Sequence, residues 1–428
     1  MPTKPAKNQA PLAPPAPGLA PARGKPLEAP TLSGWLFPGY VALIFVGFFL
    51  LRLPGAMMAG EEMGPVRALF TAVNAGTLTG FPQITEIDKY LPLGQATMFL
   101  LVVSGTLMTL IIGGCAVTRI LRLGYTETQI ALAALAAEVG AIGIGGFFLL
   151  FDQDRSVAQA AFLAASAFGN CGMIIGHAPG PTSWQTHLIL TPLIFAGGIG
   201  ICVLMEIADL FRGKAYSLSF AARTALTWSA WFYAGATILL ILLGLWAAAA
   251  SDGSMSGQDV RNLIATSAAG AIASRTAGLR LVDVGHLSRP ALWAVMFLMA
   301  AGASSGSAGG GIKTNTLAEL FRGVARALRG EAVGRAVGIA ACWIAIYALL
   351  VTVALLIMLH TLPEMPPDQV LFHAISAASN VGLAPEGLDP DRLTAYVLCA
   401  TMLIGRFGPL MILWWMADTT KDADNVVG

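Results

Sequence analysis

Long apolar stretches and short polar loops alternate along the chain in a pattern that recurs four times. Each recurrence contains an apolar stretch, a shorter amphipathic segment, a glycine-bearing polar loop and a second apolar stretch. An apolar segment of about 20 residues spans a bilayer as a helix, whereas the amphipathic segments are too short to cross it. The pattern therefore predicts an all-α polytopic membrane protein with eight spans and four re-entrant half-helices.

The predicted spans are 35–53, 95–118, 128–150, 186–210, 225–250, 290–321, 336–359 and 393–416. The predicted re-entrant helices are 62–74, 157–168, 259–271 and 368–379. We divide the chain into four membrane–pore-helix–membrane repeats around a central pore, 34–122, 123–218, 219–330 and 331–428. A Pro- and Ala-rich tail, 1–33, precedes them and is predicted to be disordered.

The polar loop of each repeat carries a glycine, at positions 80, 172, 278 and 382, so a unit of about 100 residues recurs. Glycine reaches backbone angles that turn a carbonyl inward, where it can replace water around a cation. Small-residue clusters also permit close packing of membrane helices, which leaves a purely structural role open. The residues predicted to form an ion filter are Thr77, Leu78, Thr79, Gly80, Asn170, Cys171, Gly172, Thr276, Ala277, Gly278, Asn380, Val381 and Gly382.

Composition agrees with a membrane protein, because 56% of the residues are hydrophobic, 11% are charged and the mean hydropathy is +0.71. The net charge of +1 does not suggest nucleic-acid binding. Four of the five cysteines lie in apolar segments and are predicted to be buried, without CxxC spacing. The fifth, Cys171, lies in the second glycine loop and is predicted to pack there, with a position facing ions left open.

Lysine and arginine in the short connections predict the orientation, with the basic side and the N-terminus in the cytoplasm of a cell with an inner membrane. The basic residues are Lys4, Lys7, Arg23, Lys25, Arg119, Arg122, Arg212, Lys214, Arg223, Arg322, Arg326, Arg329 and Arg335. The opposite side carries acidic residues, which would concentrate cations or simply be solvated: Glu61, Glu62, Glu86, Asp88, Asp152, Asp154, Asp252, Asp259, Glu364, Asp368, Glu386, Asp389 and Asp391.

The second span of the third repeat contains five glycines and three serines between positions 302 and 313. Each interior glycine costs a helix up to about 1 kcal/mol relative to alanine, so the span is predicted to break there. The break favours a movable gate or an ion-lining loop, and a tight helix crossing is the alternative. The predicted gate residues are Gly302, Ser304, Ser305, Gly306, Ser307, Gly309, Gly310, Gly311 and Lys313.

Four further charged residues lie in or near the spans or loops. Arg406, in the last span, needs a partner or a water-filled cavity. It is predicted to be a positive charge facing the pore, to bond carbonyls freed by Gly405 and Pro409, or both. Arg275 is predicted to brace the third glycine loop from behind. Glu138 and Glu206 are predicted to be satisfied or snorkelling acids, with a proton relay as the alternative.

The motifs TLTGF (77–81), SAFGNCGM (166–173), SRTAGL (274–279), SAASNVGL (376–383), GASSGSAGGGIKT (302–314) and IGRFGPL (404–410) together resemble the Trk/Ktr/HKT superfamily of potassium transporters. The resemblance covers about 35–417 and is nearer the Ktr type by length. It implies four filter loops, a gating loop, a pore-facing Arg406 and a homodimer of pores. It also implies a cytosolic ring of nucleotide-binding RCK-type regulatory subunits, with no covalent cofactor and K⁺ as the transported ion. By the same resemblance, Gly80 favours selectivity for potassium, whereas Cys171 and Met173 differ from the residues that the family usually has at these two positions.

These features together predict potassium uptake by a chain that is not an enzyme, with a sodium-permeable or Na⁺/H⁺-coupled transporter of the same family as the alternative. A membrane hydrolase would need Ser304, Ser305 or Ser307 beside His177, His187 or His286, and no hydrolase motif supports it. An ion-binding subunit of an ATP-driven pump remains a third hypothesis, to be judged by which subunit copurifies.

Overall fold

The computed structural model describes residues 33–58, 63–82, 89–151, 154–250, 255–385 and 390–419. Most of the tail predicted to be disordered lies outside these ranges. So do the basic residues Lys4, Lys7, Arg23 and Lys25 and the acidic residues Glu61, Glu62, Glu86, Asp88, Asp152, Asp252, Glu386 and Asp389.

The described residues form helices joined by loops and contain no strand, only two isolated bridges. The helices of the first half are α1 (Ser33–Leu51), α2 (Pro65–Gly76), α3 (Pro92–Ile120), α4 (Glu127–Leu149), α5 (Val157–Phe168), α6 (Thr186–Ile199) and α7 (Ile201–Phe211). Those of the second half are α8 (Phe220–Ala250), α9 (Gly257–Ile272), α10 (Arg289–Ala300), α11 (Thr314–Leu328), α12 (Arg335–Thr361), α13 (Pro367–Ala378) and α14 (Arg392–Thr419). A 3-10 turn, Val284–His286, precedes α10.

Helices α2, α5, α9 and α13 match the predicted re-entrant segments, and their starts follow from local chemistry. Helices α5 and α9 begin with capping boxes, in which Ser156 pairs with Gln159 and Ser256 with Asp259. Helices α2 and α13 begin with proline, whose missing N–H costs nothing in the first turn. At 12 to 16 residues, all four are too short to cross a bilayer.

Five helices in the described ranges, α3, α4, α8, α12 and α14, are long and apolar enough to cross a membrane. The bent pair α6 and α7 makes a sixth if it counts as one span. The other two predicted spans correspond to α1, whose apolar part is shorter, and to the interrupted pair α10 and α11. An all-α polytopic protein is thereby confirmed.

The span predicted at 186–210 is not continuous, because the chain bends by 105° between α6 and α7. Gly200 lies at the bend with φ of +94°, a left-handed angle that glycine adopts readily. The carbonyls of Gly197 and Gly198 accept hydrogen bonds from Ala308 and Ser304 of the glycine- and serine-rich segment. The helix therefore ends where its carbonyls bond to another loop, and the three glycines within 197–200 were not recognised as a break in the sequence.

The predicted break in the third repeat is confirmed, since α10 ends at Ala300 and α11 begins at Thr314. The intervening segment, 301–313, is called the Gly/Ser loop below. Cys342 contradicts its prediction, because this residue of α12 is exposed on the protein surface. Lipid tails are as apolar as the interior of the protein, so an apolar residue of a membrane helix can face lipid at no cost. Hydrophobicity alone therefore does not predict burial within the protein.

Helices α3, α4, α7 and α14 meet near Arg119 and Tyr125, and this side of the molecule is called the basic face below. Arg119 pairs with Glu127 and lies over the ring of Trp414, 4.4 Å from its centroid. The Tyr125 hydroxyl donates a hydrogen bond of 2.9 Å to Asp209. Burial, and then this hydrogen bond, raise the pKa of the Tyr125 phenol. Helix ends from the first, second and fourth predicted repeats are thus joined at this face.

Candidate functional site

Four glycine-bearing loops, each following a short helix, converge on one point. They are called glycine loop 1 (77–81), loop 2 (169–173), loop 3 (276–279) and loop 4 (379–383). A Cβ atom built on Gly80 would come within 3.0 Å of the backbone of loop 2. In the same way, one on Gly172 would meet loop 3, one on Gly278 would meet loop 4, and one on Gly382 would meet loop 1. The contacts run in chain order and close a ring.

Carbonyl oxygens supply many of the closest contacts in this ring. The oxygen of Gly80 would lie 2.9 Å from a Cβ on Gly172, and that of Thr79 would lie 3.3 Å from one on Gly278. The carbonyls of Gly278 and Val381 approach the ring in the same way. Carbonyl oxygens at close quarters are the groups that replace the hydration shell of a monovalent cation.

The turn from short helix into glycine loop uses a left-handed residue. In loops 1, 2 and 4 this residue lies two positions before the glycine: Leu78 with φ of 58°, Asn170 with 51° and Asn380 with 50°. Asparagine tolerates this region, whereas for leucine it is a strained angle. Leu78 is fully buried, so packing holds it there. Strain of this kind is typical of functional sites.

A polar side chain six positions before the glycine braces three of the loops. Asn74 accepts hydrogen bonds from the N–H groups of Gly80 (2.9 Å) and Phe81 (2.8 Å), and it donates one to the Phe81 carbonyl. The hydroxyl of Ser166 donates to Met173, and that of Ser376 donates to Leu383. These hydrogen bonds fix the backbone of the three loops at the point where they converge.

Asn74, Ser166 and Ser376 were missed in the sequence analysis. Their signal is the constant spacing of six residues from the glycine, inside a segment read only as amphipathic helix. The third repeat has Ile272 as the residue six before Gly278, so the pattern is broken in loop 3.

Loop 3 reaches the ring differently. A π-helical turn, Ala273–Ala277, extends α9, and Gly278 itself takes the left-handed angle, with φ of 59°. Arg275 in this turn is 5% exposed and donates to the carbonyl and hydroxyl of Ser229 and to the hydroxyl of Thr314. The prediction that Arg275 braces its loop from behind is confirmed. The brace connects loop 3 to α8 and to the start of α11.

The Gly/Ser loop folds back on itself and against α6. Its two ends are joined by hydrogen bonds from Gly302 to Ile312 and from Ala303 to Gly310. Ile201, the first residue of α7, donates to the Gly306 carbonyl at 3.2 Å. A Cβ on Gly310 would collide with the carbonyl of Ser379, so the Gly/Ser loop lies directly against glycine loop 4.

Arg406 connects the Gly/Ser loop to glycine loop 1. Its Nε donates to the Thr77 carbonyl at 2.8 Å, and its Nη1 donates to the Ala308 carbonyl at 2.6 Å. The expected carbonyls, those freed by Gly405 and Pro409, are therefore not its partners. The side chain is 4% exposed, and its Nη2 has no partner among the described residues. A fixed positive group thus lies between the two loops.

The other predicted site residues lie around the same point. Asn380 donates to the hydroxyl of Thr79 at 3.0 Å and to the carbonyl of Met402. Cys171, Ala277 and Val381 are buried. Lys313 donates to the carbonyl of Gly309 at 2.6 Å, within its own loop. The structure thus brings together residues from all four predicted repeats.

Two of the three serine hydroxyls named in the hydrolase hypothesis bond groups other than histidine. Ser304 lies 3.3 Å from the Ser229 hydroxyl, and Ser307 donates to the Ser304 carbonyl. His187 bonds the carbonyl of Pro181, and His286 lies near Asp283. Among the residues that the structure describes, no group of three or more metal-ligating side chains occurs.

The two membrane acids differ from each other. Glu206 accepts hydrogen bonds from the N–H and hydroxyl of Ser219, at 2.7 and 2.9 Å, so its prediction as a satisfied acid is confirmed. Glu138 is 1% exposed and neither carboxyl oxygen has a partner among the described residues. Its prediction as a satisfied or snorkelling acid is wrong, because its place on the buried face of α4 was not visible in the sequence.

Comparison with known proteins points to one family. Residues 117–420 match the family model described as TrkH, cation transport protein. The chain is 26% identical to Ktr system potassium uptake protein B of Bacillus subtilis, over 90% of this chain and 92% of that protein. It is 28% identical to potassium/sodium uptake protein NtpJ of Enterococcus hirae, over 88% and 90% of the two chains. The fold resembles the crystal structure of the potassium transporter TrkH from Vibrio parahaemolyticus, with a TM-score of 0.69, 17% identity and coverage of 90% of this chain and 85% of that one.

Proposed function

Because the chain belongs to the TrkH family of cation transport proteins, which are transporters and not enzymes, we propose that it carries potassium into the cell through the ring of glycine loops. The observation that carries the proposal is the closure of that ring by four loops about 100 residues apart in sequence. Carbonyl oxygens gathered at such a point can replace the water around a desolvated cation. The names of two similar proteins, Ktr system potassium uptake proteins B and D of Bacillus subtilis, include potassium uptake.

The same proposal assigns roles to the predicted residues and repeats. The glycine loops are the filter of four repeats, 34–122, 123–218, 219–330 and 331–428. The Gly/Ser loop is the gate beneath it, because it lies against loop 4 and is tied to loop 1 by Arg406. The free Nη2 of Arg406 supports a positive charge that a passing cation encounters below the filter.

The assembly and orientation belong to the proposal as well. The chain is the membrane subunit of a Ktr-type system, since two similar proteins carry that name. We place a homodimer of such chains in the inner membrane, with the basic face and the N-terminus in the cytoplasm, following the distribution of lysine and arginine. A cytosolic RCK-type ring would bind the regulatory nucleotide.

A sodium-permeable or Na⁺/H⁺-coupled transporter is the second candidate. The observation that favours it is the similarity to a protein named for both potassium and sodium. Filters built from carbonyls separate the two ions by small differences in coordination, so a modest change in the ring would admit sodium.

Uptake of radioactive rubidium into liposomes, with external K⁺ or Na⁺ as competitor, tests the proposal on the native chain and on Gly80→Ser. We expect K⁺ and not Na⁺ to block native uptake. The serine Cβ would press on the Gly172 backbone at a φ of +83°, so the variant should lose the preference for K⁺. Equal competition by Na⁺ in the native protein would favour the second candidate.

Gly338→Ser is the matched control, because a Cβ at this glycine meets nothing within 4 Å. It should transport like the native protein. If the native chain shows no rubidium flux even after its regulatory subunit is added, the proposal that the ring of glycine loops conducts ions is contradicted.

A further inference from the structure

Glu138 is a buried acid that the proposed transport path does not use. It lies on the inward face of α4 with Ile130, Ala134 and Ala141, all of them buried. The opposite face of α4 exposes large apolar residues, such as Leu132 and Val139. Glu138 therefore points into the protein and not toward lipid, and both of its carboxyl oxygens lack partners among the described residues.

Among the described residues, no charged group faces Glu138 from the helices packed on α4. Helix α3 carries Arg119, which pairs with Glu127 at the basic face. Eleven residues of helix separate Glu127 from Glu138, which is about 16 Å along the axis. The other titratable groups of these helices are the thiols of Cys115 and Cys202 and the carboxylates of Glu206 and Asp209, which bond Ser219 and Tyr125. The π-helical turn Ala141–Gly145 and helix α5 carry none.

A carboxylate without a charged partner or hydrogen-bond donor is costly in an apolar interior, and a carboxyl group there takes up a proton instead. A metal cation would need several further oxygen ligands. No cluster of three or more metal-ligating side chains occurs in the described part of the chain. The proton is thus the ligand that fits this site.

Helix α4 is connected to the Gly/Ser loop through two shared contacts at Ile130, which lies about 12 Å along the helix axis from Glu138. A Cβ built on Gly114 of α3 would meet both Ile130 of α4 and Ile201 of α7 within 3.0 Å. Ile201 in turn donates its N–H to the Gly306 carbonyl of the Gly/Ser loop. Three residues after Glu138, α4 changes to the π-helical turn Ala141–Gly145, a feature frequent at functional sites.

We propose that Glu138 is a proton-binding site, and that release of its proton into water accompanies displacement of α4 and α7 and of the Gly/Ser loop bonded to α7. The protonated acid stabilises the packed arrangement described above. Ionisation favours an arrangement in which water reaches the carboxylate. Because proton binding belongs to the packed state, acid conditions hold the loop in place and alkaline conditions release it.

Infrared difference spectroscopy of the purified chain during a pH titration tests proton binding directly. We expect a carbonyl stretch of a protonated acid at neutral pH that disappears on alkalinisation and is absent from Glu138→Gln. Glu206→Gln is the matched control and should retain the band. Absence of such a band from the native chain, or its persistence in Glu138→Gln, would overturn the proposal, and neither result depends on transport.

Rubidium uptake as a function of pH tests whether proton release from Glu138 is coupled to movement of the Gly/Ser loop. This experiment rests on the proposed function. Native uptake should rise toward alkaline pH, whereas Glu138→Gln, which cannot ionise, should keep the rate that the native protein shows in acid. Glu206→Gln should keep the native profile. A Glu138→Gln profile that follows the native one would refute the coupling. If no variant transports, the infrared titration of the native chain still decides whether the proton site exists.

Discussion

Glycine loops 1, 2 and 4 are each braced by a polar side chain of the short helix that precedes the loop, whereas loop 3 is braced by two other helices of its repeat. Asn74, Ser166 and Ser376 each bond the backbone of the loop that follows them. Arg275 bonds Ser229 and Thr314, on two other helices. Thr314 also donates to the Gly302 carbonyl at the start of the Gly/Ser loop. Loops 1, 2 and 4 are therefore braced locally, whereas the brace of loop 3 passes through Thr314 to the start of the proposed gate.

The largest effect is expected from Gly278→Ala. A methyl group there would collide with the Val381 carbonyl, and φ of 59° is unfavourable for alanine. Rubidium uptake should fall to background, while size-exclusion chromatography still shows a folded protein. Gly338→Ala, which meets nothing within 4 Å, serves as the control and should leave uptake unchanged. Substantial uptake by Gly278→Ala would show that the ring is not the ion path.

Arg275→Gln should have the next largest effect. It removes hydrogen bonds from a buried cation, each worth about 1.5–3 kcal/mol, and separates loop 3 from α11. We expect a lower thermal unfolding temperature and a change in uptake rate larger than the change in K⁺ over Na⁺ preference. An altered preference at an unchanged rate would mean that loop 3 acts on the filter alone.

Asn74→Ala should act mainly on selectivity. It leaves the N–H groups of Gly80 and Phe81 without their partner, at a cost of about 1–3 kcal/mol for each buried donor. Competition by Na⁺ against rubidium uptake should increase severalfold while the maximal rate changes less. An unchanged competition profile would contradict the brace.

Ser376→Ala is expected to have the smallest effect of the series. It removes one hydroxyl donor, of 2.8 Å, from the Leu383 carbonyl, and a net hydrogen bond contributes about 0.5–1.5 kcal/mol. The unfolding temperature should drop slightly and selectivity should stay close to native. A loss as large as that of Asn74→Ala would show that the four loops share one network and are not braced separately.

Much of the fold was readable in the sequence because membrane helices carry a strong signal. The short helix 157–168 was predicted with its observed bounds, since a polar cap and a glycine enclose it. The break near Gly306 followed from the density of glycine. The bend at Gly200 was missed, although its glycines were visible, because the apolar pattern continues across it and the competing hydrogen bonds come from the Gly/Ser loop, about 100 residues away.

The candidate site was predicted as a set of loops, and its contacts were not. Four similar motifs at even spacing implied a shared centre, but not that Gly80 lies against Gly172 or that Gly382 closes the ring on loop 1. Arg406 was recognised as an unusual membrane charge, yet its partners, the carbonyls of Thr77 and Ala308, lie far from it in the chain. The prediction that Glu138 is a satisfied or snorkelling acid was wrong for the same reason, because the residues that surround it lie on other helices.

The sequence by itself determined the helical class, the four recurrences and the glycines at their centre, because hydrophobic length and backbone conformation are local properties. The tertiary structure decided which carbonyls meet, which charge is paired and which acid is left without a partner. Hydrogen bonds and burial depend on atoms brought together across the chain. A linear pattern can mark Arg406 and Glu138 as costly in a membrane, and only the packing of helices shows that the first bonds two distant carbonyls and that the second bonds no group in the described part of the chain.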